Sequence, residues 1–121
     1  MKAKKIIGWV LTGLLSALFV FSGIGKIMGA PEVADGFNKM GLGDKMALIG
    51  AMEIAIVLLI LIPRTGVLGT VLMTGYIGGI ILAHLMGGMS IGLPIAFGVL
   101  FCVAGYLRFP ELGARLFGTK E

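Results

Sequence analysis

Four residues able to exchange protons or bind them stand inside or at the ends of otherwise apolar stretches: Lys26, Glu53, Tyr76 and His84. An ionised side chain in hydrocarbon costs about 2.5 to 3.5 kcal/mol even on a lenient scale, so Glu53 has to be paired, hydrated or neutral. Lys26 and His84 are the partners within reach of it along the chain's topology. The chemistry open to such a set is proton exchange at Glu53, with hydrogen bonds given or taken by His84 and Lys26 and with Tyr76 lining the pocket. Tyr76, Ile80 and His84 recur four apart on one helix face, which sets the two polar side chains about 12 Å apart along the axis. Each residue also has a structural reading. Lys26 can anchor at the membrane rim, His84 can bond a neighbouring helix, Tyr76 can pack with its hydroxyl satisfied, and Glu53 can form an interhelical pair.

The elements that must position these residues are membrane segments. Of 121 residues, 58% are hydrophobic and 13% charged, and the mean hydropathy is +1.07, beyond what a water-exposed surface tolerates. The pattern predicts an all-α integral membrane four-helix bundle, one domain over 1–121, with helices at about 6–28, 45–62, 65–87 and 91–107. No room remains for a water-soluble catalytic domain. Any activity must therefore lie inside the bundle, at its rims or on a partner.

Three lysines precede the first apolar run in the manner of a secretory signal, but Pro31 directly follows Ala30, the one plausible cleavage position, so helix 1 is expected to be retained. Thr12, Ser16, Phe19, Gly23 and Lys26 form a small and polar stripe suited to face other helices, and Trp9 suits the interface. Val33, Phe37 and Met40 recur at helical spacing after Pro31, predicting a short amphipathic helix over 31–40 that Gly41 and Gly43 end. The brief Pro63-Arg64-Thr65 connection makes helices 2 and 3 antiparallel neighbours. Gly75, Gly79, Ala83 and Gly87 form a ladder where another helix can approach closely. Gly98, Cys102 and Gly105 give helix 4 a small-residue side, and 108–121 reads as an amphipathic tail on the membrane surface.

Lys2, Lys4, Lys5, Arg64, Arg108, Arg115 and Lys120 fall on one side of this topology, and Lys26, Lys39 and Lys45 on the other. Both termini are therefore expected to be cytoplasmic, in a bacterial inner membrane. The net charge of +4, so distributed, does not imply nucleic-acid binding. The sole cysteine, Cys102, excludes an intrachain disulfide and a CxxC relay. One histidine, one mid-membrane glutamate and one distant cysteine do not make a metal cage, and no phosphate loop or dinucleotide fingerprint is present.

The order of SGIGK (22–26), GFNKMG (36–41), IGAMEIAIVLLILIPRTGVLGT (49–70), TGYIGGIILAHL (74–85) and YLRFPEL (106–112) resembles the DoxX-like family of small four-helix membrane proteins. The resemblance covers nearly the whole chain. It implies recurrent polar positions at Lys26, Glu53 and His84, and a link to quinone-dependent redox or detoxification complexes, since the family is named after a membrane subunit associated with thiosulfate:quinone oxidoreduction. The leading expectation is accordingly an accessory or redox-associated subunit rather than a stand-alone enzyme, with Glu53, His84, Lys26 and Tyr76 forming a polar pocket for a quinone-like headgroup or a proton relay. Its partners would be the bilayer and another membrane or redox protein, with a homo-oligomer left open. An assembly protein acting through its glycine faces is the alternative. A small proton-coupled transporter fits less well, because the essential glutamate of small multidrug-resistance proteins lies in the first helix and here the carboxylate is in helix 2.

Overall fold

The computed structural model describes residues 2–118. Among them lie α1 (Lys2–Met28), α2 (Pro31–Lys39), α3 (Met46–Leu61), α4 (Gly66–Met86), α5 (Gly92–Arg108) and α6 (Pro110–Phe117), with tight 3-10 turns at Gly43–Lys45 and Pro63–Thr65. Lys120, one of the basic residues expected on the cytoplasmic side, and the end of the predicted tail lie outside the described residues.

α1 buries Gly8, Thr12, Leu15, Ser16, Phe19 and Gly23, steps of three and four that make one stripe. Its other faces are equally apolar and point outward, with Val10, Leu14, Leu18 and Phe21 exposed. Such a surface is compatible with hydrocarbon and not with water. Among the described residues two stretches are long and apolar enough to cross a membrane by themselves, Lys2–Met28 and Pro63–Met86; Gly92–Arg108 joined to Pro110–Phe117 makes a third only as a pair bent by 114°. Fewer helices thus reach full spanning length than the four expected. Proline explains the shortening. Pro63 holds Ile62 in extended backbone (φ −85°, ψ 119°) and ends α3 after 16 residues, and Pro110 does the same to Phe109 (φ −125°, ψ 94°) at the end of α5.

α1 packs against α3 and α5, and α4 closes the ring by packing against the same two helices. Leu15, Phe19, Ile56, Val57, Ile60, Met73, Ile77 and Phe101 form the core, with Phe19 set edge-on to Phe97 and Phe101. Close helix approach falls at Gly50, where an added Cβ would lie 2.6 Å from the Gly23 carbonyl oxygen, and at Gly69, where it would lie 2.6 Å from the Ile60 nitrogen. The predicted ladder on α4 is used differently. A Cβ at Gly75 or Gly79 would meet nothing within 4 Å, and only Gly87 is crowded, by Lys39 and Met40 at the end of α2. The helices of this chain meet one turn or two below, leaving open space beside Gly75 and Gly79. α2 lies across that end of the ring with Phe37 buried, and Gly41 (φ 73°) turns the chain after it.

Candidate functional site

Glu53 belongs to the buried stripe of α3, with Met46, Gly50, Ile56, Val57 and Ile60, and is 1% exposed. Lys26 stands in the last turn of α1, and its Nζ lies 2.5 Å from Glu53 Oε1. The ammonium also donates to Ser22 Oγ at 3.1 Å, one helical turn back, and lies 5.9 Å from the centre of the Phe37 ring. From α4, the Tyr76 hydroxyl donates to the same Oε1 at 2.5 Å. One carboxylate oxygen therefore joins α1, α3 and α4. The other, Glu53 Oε2, is buried and has no hydrogen-bond partner among the described residues.

Desolvating a lysine and a glutamate is costly, and their mutual attraction offsets that cost only where the geometry is good and the remaining polar atoms are satisfied. Here the ammonium has two acceptors and a nearby aromatic ring, whereas the carboxylate retains one oxygen without a donor. That oxygen is the acceptor in the cluster still open to a further donor.

His84 is placed otherwise than expected for a Glu53 partner. Its Nδ1 donates to the Ile80 carbonyl within α4 at 2.8 Å, because two helical turns separate it from Tyr76 and the carboxylate lies at the level of Tyr76. It does line the same cavity. That cavity, about 1100 Å³, is bounded by residues of α1 to α5, among them Ser22, Lys26, Glu53, Tyr76 and His84 as polar groups and Phe19, Phe37, Ile56, Ile77 and Phe97 as apolar walls. Gly75, Gly79 and Ala83 form part of its wall, so the missing side chains of the ladder are its volume. Leu18, Met52 and Leu72 line it as well and are exposed on the outer surface.

Two residues at the site were not singled out from sequence. Ser22 precedes Lys26 by one turn and was readable from that spacing. Phe37 reaches Lys26 only because α2 folds over the ring, a tertiary fact with no local signal. Among the described residues no group of three or more His, Cys, Asp or Glu side chains is placed to hold a metal ion.

A family model described as the DoxX-like family matches residues 10–106, a stretch that contains Lys26, Glu53, Tyr76 and His84. No curated protein and no solved structure matches the chain.

Proposed function

The chain belongs to the DoxX-like family of proteins, and on that premise we propose that it is a membrane-embedded, redox-associated accessory subunit that takes a quinone-like headgroup into the cavity beside Glu53. The observation that carries the reading is the buried Glu53 carboxylate, with Lys26 and Tyr76 on one oxygen and no partner among the described residues on the other, in the wall of an apolar cavity. Small-molecule sites run to about 300–1,000 Å³, mostly apolar with a few convergent polar groups. A cavity of about 1100 Å³ has that character and room for a ring with part of a tail.

The residues fit the chemistry of such a headgroup. The Lys26 ammonium, with two of its three N–H groups on Ser22 and Glu53, has the third for a ring carbonyl, and Glu53 Oε2 is the acceptor for a ring hydroxyl. Phe19, Phe37 and Phe97 keep water from the cluster and offer faces to a flat ring. A bound quinone would supply a carrier of electrons and protons, with the electrons coming from a partner protein. The chain's own part is to hold the ring, exclude water and exchange a proton at Glu53. The outward exposure of Leu18, Met52 and Leu72 favours access from the bilayer. The topology that suits this reading has one domain of four helices crossing a bacterial inner membrane with both termini in the cytoplasm.

Titration of the purified protein with a short-tailed benzoquinone tests it. Glu53→Gln is expected to weaken binding by about tenfold or more, the scale of losing a hydrogen bond to a charged group. Equal affinity in the two proteins removes the reading. The openness of Gly75, Gly78 and Gly79 is the observation behind the assembly alternative, in which Gly79→Leu disrupts a partner complex and Glu53→Gln changes nothing.

A further inference from the structure

At the end of the ring away from Glu53, Arg108 is buried to 4% exposure without an ion pair among the described residues. Its guanidinium carbon lies 3.8 Å from the centre of the Trp9 ring and 4.7 Å from that of Phe109. Nη1 reaches Thr12 Oγ1 at 3.5 Å, a long bond, while Nε and Nη2 are buried with no partner among the described residues. Aromatic faces attract the charge. They do nothing for N–H groups that point outward in the guanidinium plane.

The two unsatisfied nitrogens are not scattered over the group. Nε and Nη2 share one edge of the guanidinium, the edge that pairs side-on with two oxygens of a carboxylate or phosphate. Nη2 lies beside the start of α4: a Cβ built on Gly66, its first residue, would be 3.3 Å from it. The Gly66 N–H is already bonded to the Pro63 carbonyl, since the turn Pro63–Thr65 runs directly into α4, so the donors left for an anion are those of the guanidinium edge. Lys2, Lys4 and Lys5 at the start of α1, Arg64 in the turn before α4 and Arg115 in α6 belong to the same end of the molecule. Glu111 is the one acidic side chain described there, and it is exposed.

We propose that Arg108, beside the start of α4, forms a binding site for a phosphate oxyanion, held bidentately by Nε and Nη2. The two sources of that chemistry at a membrane rim are a phospholipid headgroup and free phosphate. Phe109 packs against both Gly66 and the guanidinium, so binding of the anion requires its ring to turn aside. It sits in the extended link between α5 and α6, outside either helix.

Trp9, the sole tryptophan, reports the site directly because its ring stacks on the guanidinium. The full chain in a phosphate-free maltoside micelle is titrated with short-chain phosphatidylglycerol, with diacylglycerol of the same chains and with inorganic phosphate while Trp9 emission is followed. The expected result is a saturable change with phosphatidylglycerol and none with diacylglycerol. A matching response to inorganic phosphate assigns the site to the free anion, and its absence assigns it to the headgroup. Arg108→Lys keeps the charge and loses the planar edge, so its midpoint should rise about tenfold or more, whereas Arg115→Gln and Glu53→Gln leave it in place. Silence of the wild type toward both phosphate compounds, or an equal response to diacylglycerol, overturns the proposal whether or not the variants fold; so does a folded Arg108→Lys with an unchanged midpoint.

Discussion

Lys26 and Glu53 stand 27 positions apart in the chain, yet Lys26 Nζ lies 2.5 Å from Glu53 Oε1, the ammonium 12% and the carboxylate 1% exposed. The pair ties the last turn of α1 to the middle of α3. A buried pair of this kind contributes little net stability compared with a well-packed apolar pair, but it makes either partner alone a liability.

Lys26→Met should therefore destabilise the protein by about 3–5 kcal/mol, because it leaves the Glu53 carboxylate buried against Tyr76 alone. Lys26→Met combined with Glu53→Leu should recover most of that loss. Denaturant unfolding in micelles measures both, and a double variant as unstable as the single one would mean that the pair is not the source of the effect.

Tyr76→Phe removes one of the two donors to Glu53 Oε1 and nothing else. The expected cost is about 1.5–3 kcal/mol, the range for a hydrogen bond to a charged group, with helix content by circular dichroism unchanged. Loss of the helical fold would show instead that the ring packs the core in a way the hydroxyl does not explain.

The glycines divide into two classes with opposite expectations. Gly50→Ala drives a methyl to within 2.6 Å of the Gly23 carbonyl oxygen and should destabilise by forcing α1 and α3 apart. Gly75→Ala meets nothing within 4 Å and should be neutral or stabilising by up to about 1 kcal/mol through helix propensity. Gly79→Leu should leave the fold intact while filling the cavity that Gly79 helps to line. Melting temperatures of the three variants in one detergent separate these outcomes.

The short helices bear on topology. At 1.5 Å per residue α3 is about 24 Å long, less than the ~30 Å hydrocarbon core, so its ends should lie close to the headgroups or draw the bilayer thinner. With four crossings both termini lie on the basic side. Reporter fusions at each end should both be active in the cytoplasm, and opposite locations would demand an odd number of crossings.

Much of this arrangement was legible because rare residues in apolar helices are informative. The stripe Thr12, Ser16, Phe19 and Gly23 is the buried face of α1 because its smaller and more polar members recur at helical spacing among bulky apolar ones. Lys26 and Glu53 stood out as ionisable groups in costly surroundings, which is also why they meet. α3 and α4 are apolar on every side, so no amphipathic stripe indicates how they rotate in the ring. For that reason Tyr76 rather than His84 as the second neighbour of Glu53, and the cavity beside Gly75 and Gly79, were not readable. In the sequence Arg108 is a positive charge at a membrane rim, with nothing nearby to indicate burial. Its burial between Trp9 and Phe109 depends on α5 ending where α1 begins.

If the cavity beside Glu53 holds a quinone-like ligand, that ligand should travel with the protein out of the membrane. The direct measurement is isolation of the wild type and Glu53→Gln in native lipid particles, with extraction and mass spectrometry of the bound small molecules. Quinone should be retained by the wild type and depleted in the variant. Equal quinone in both, or none in either beside a stably co-purifying protein partner, would contradict it and leave Glu53 as an interhelical tie.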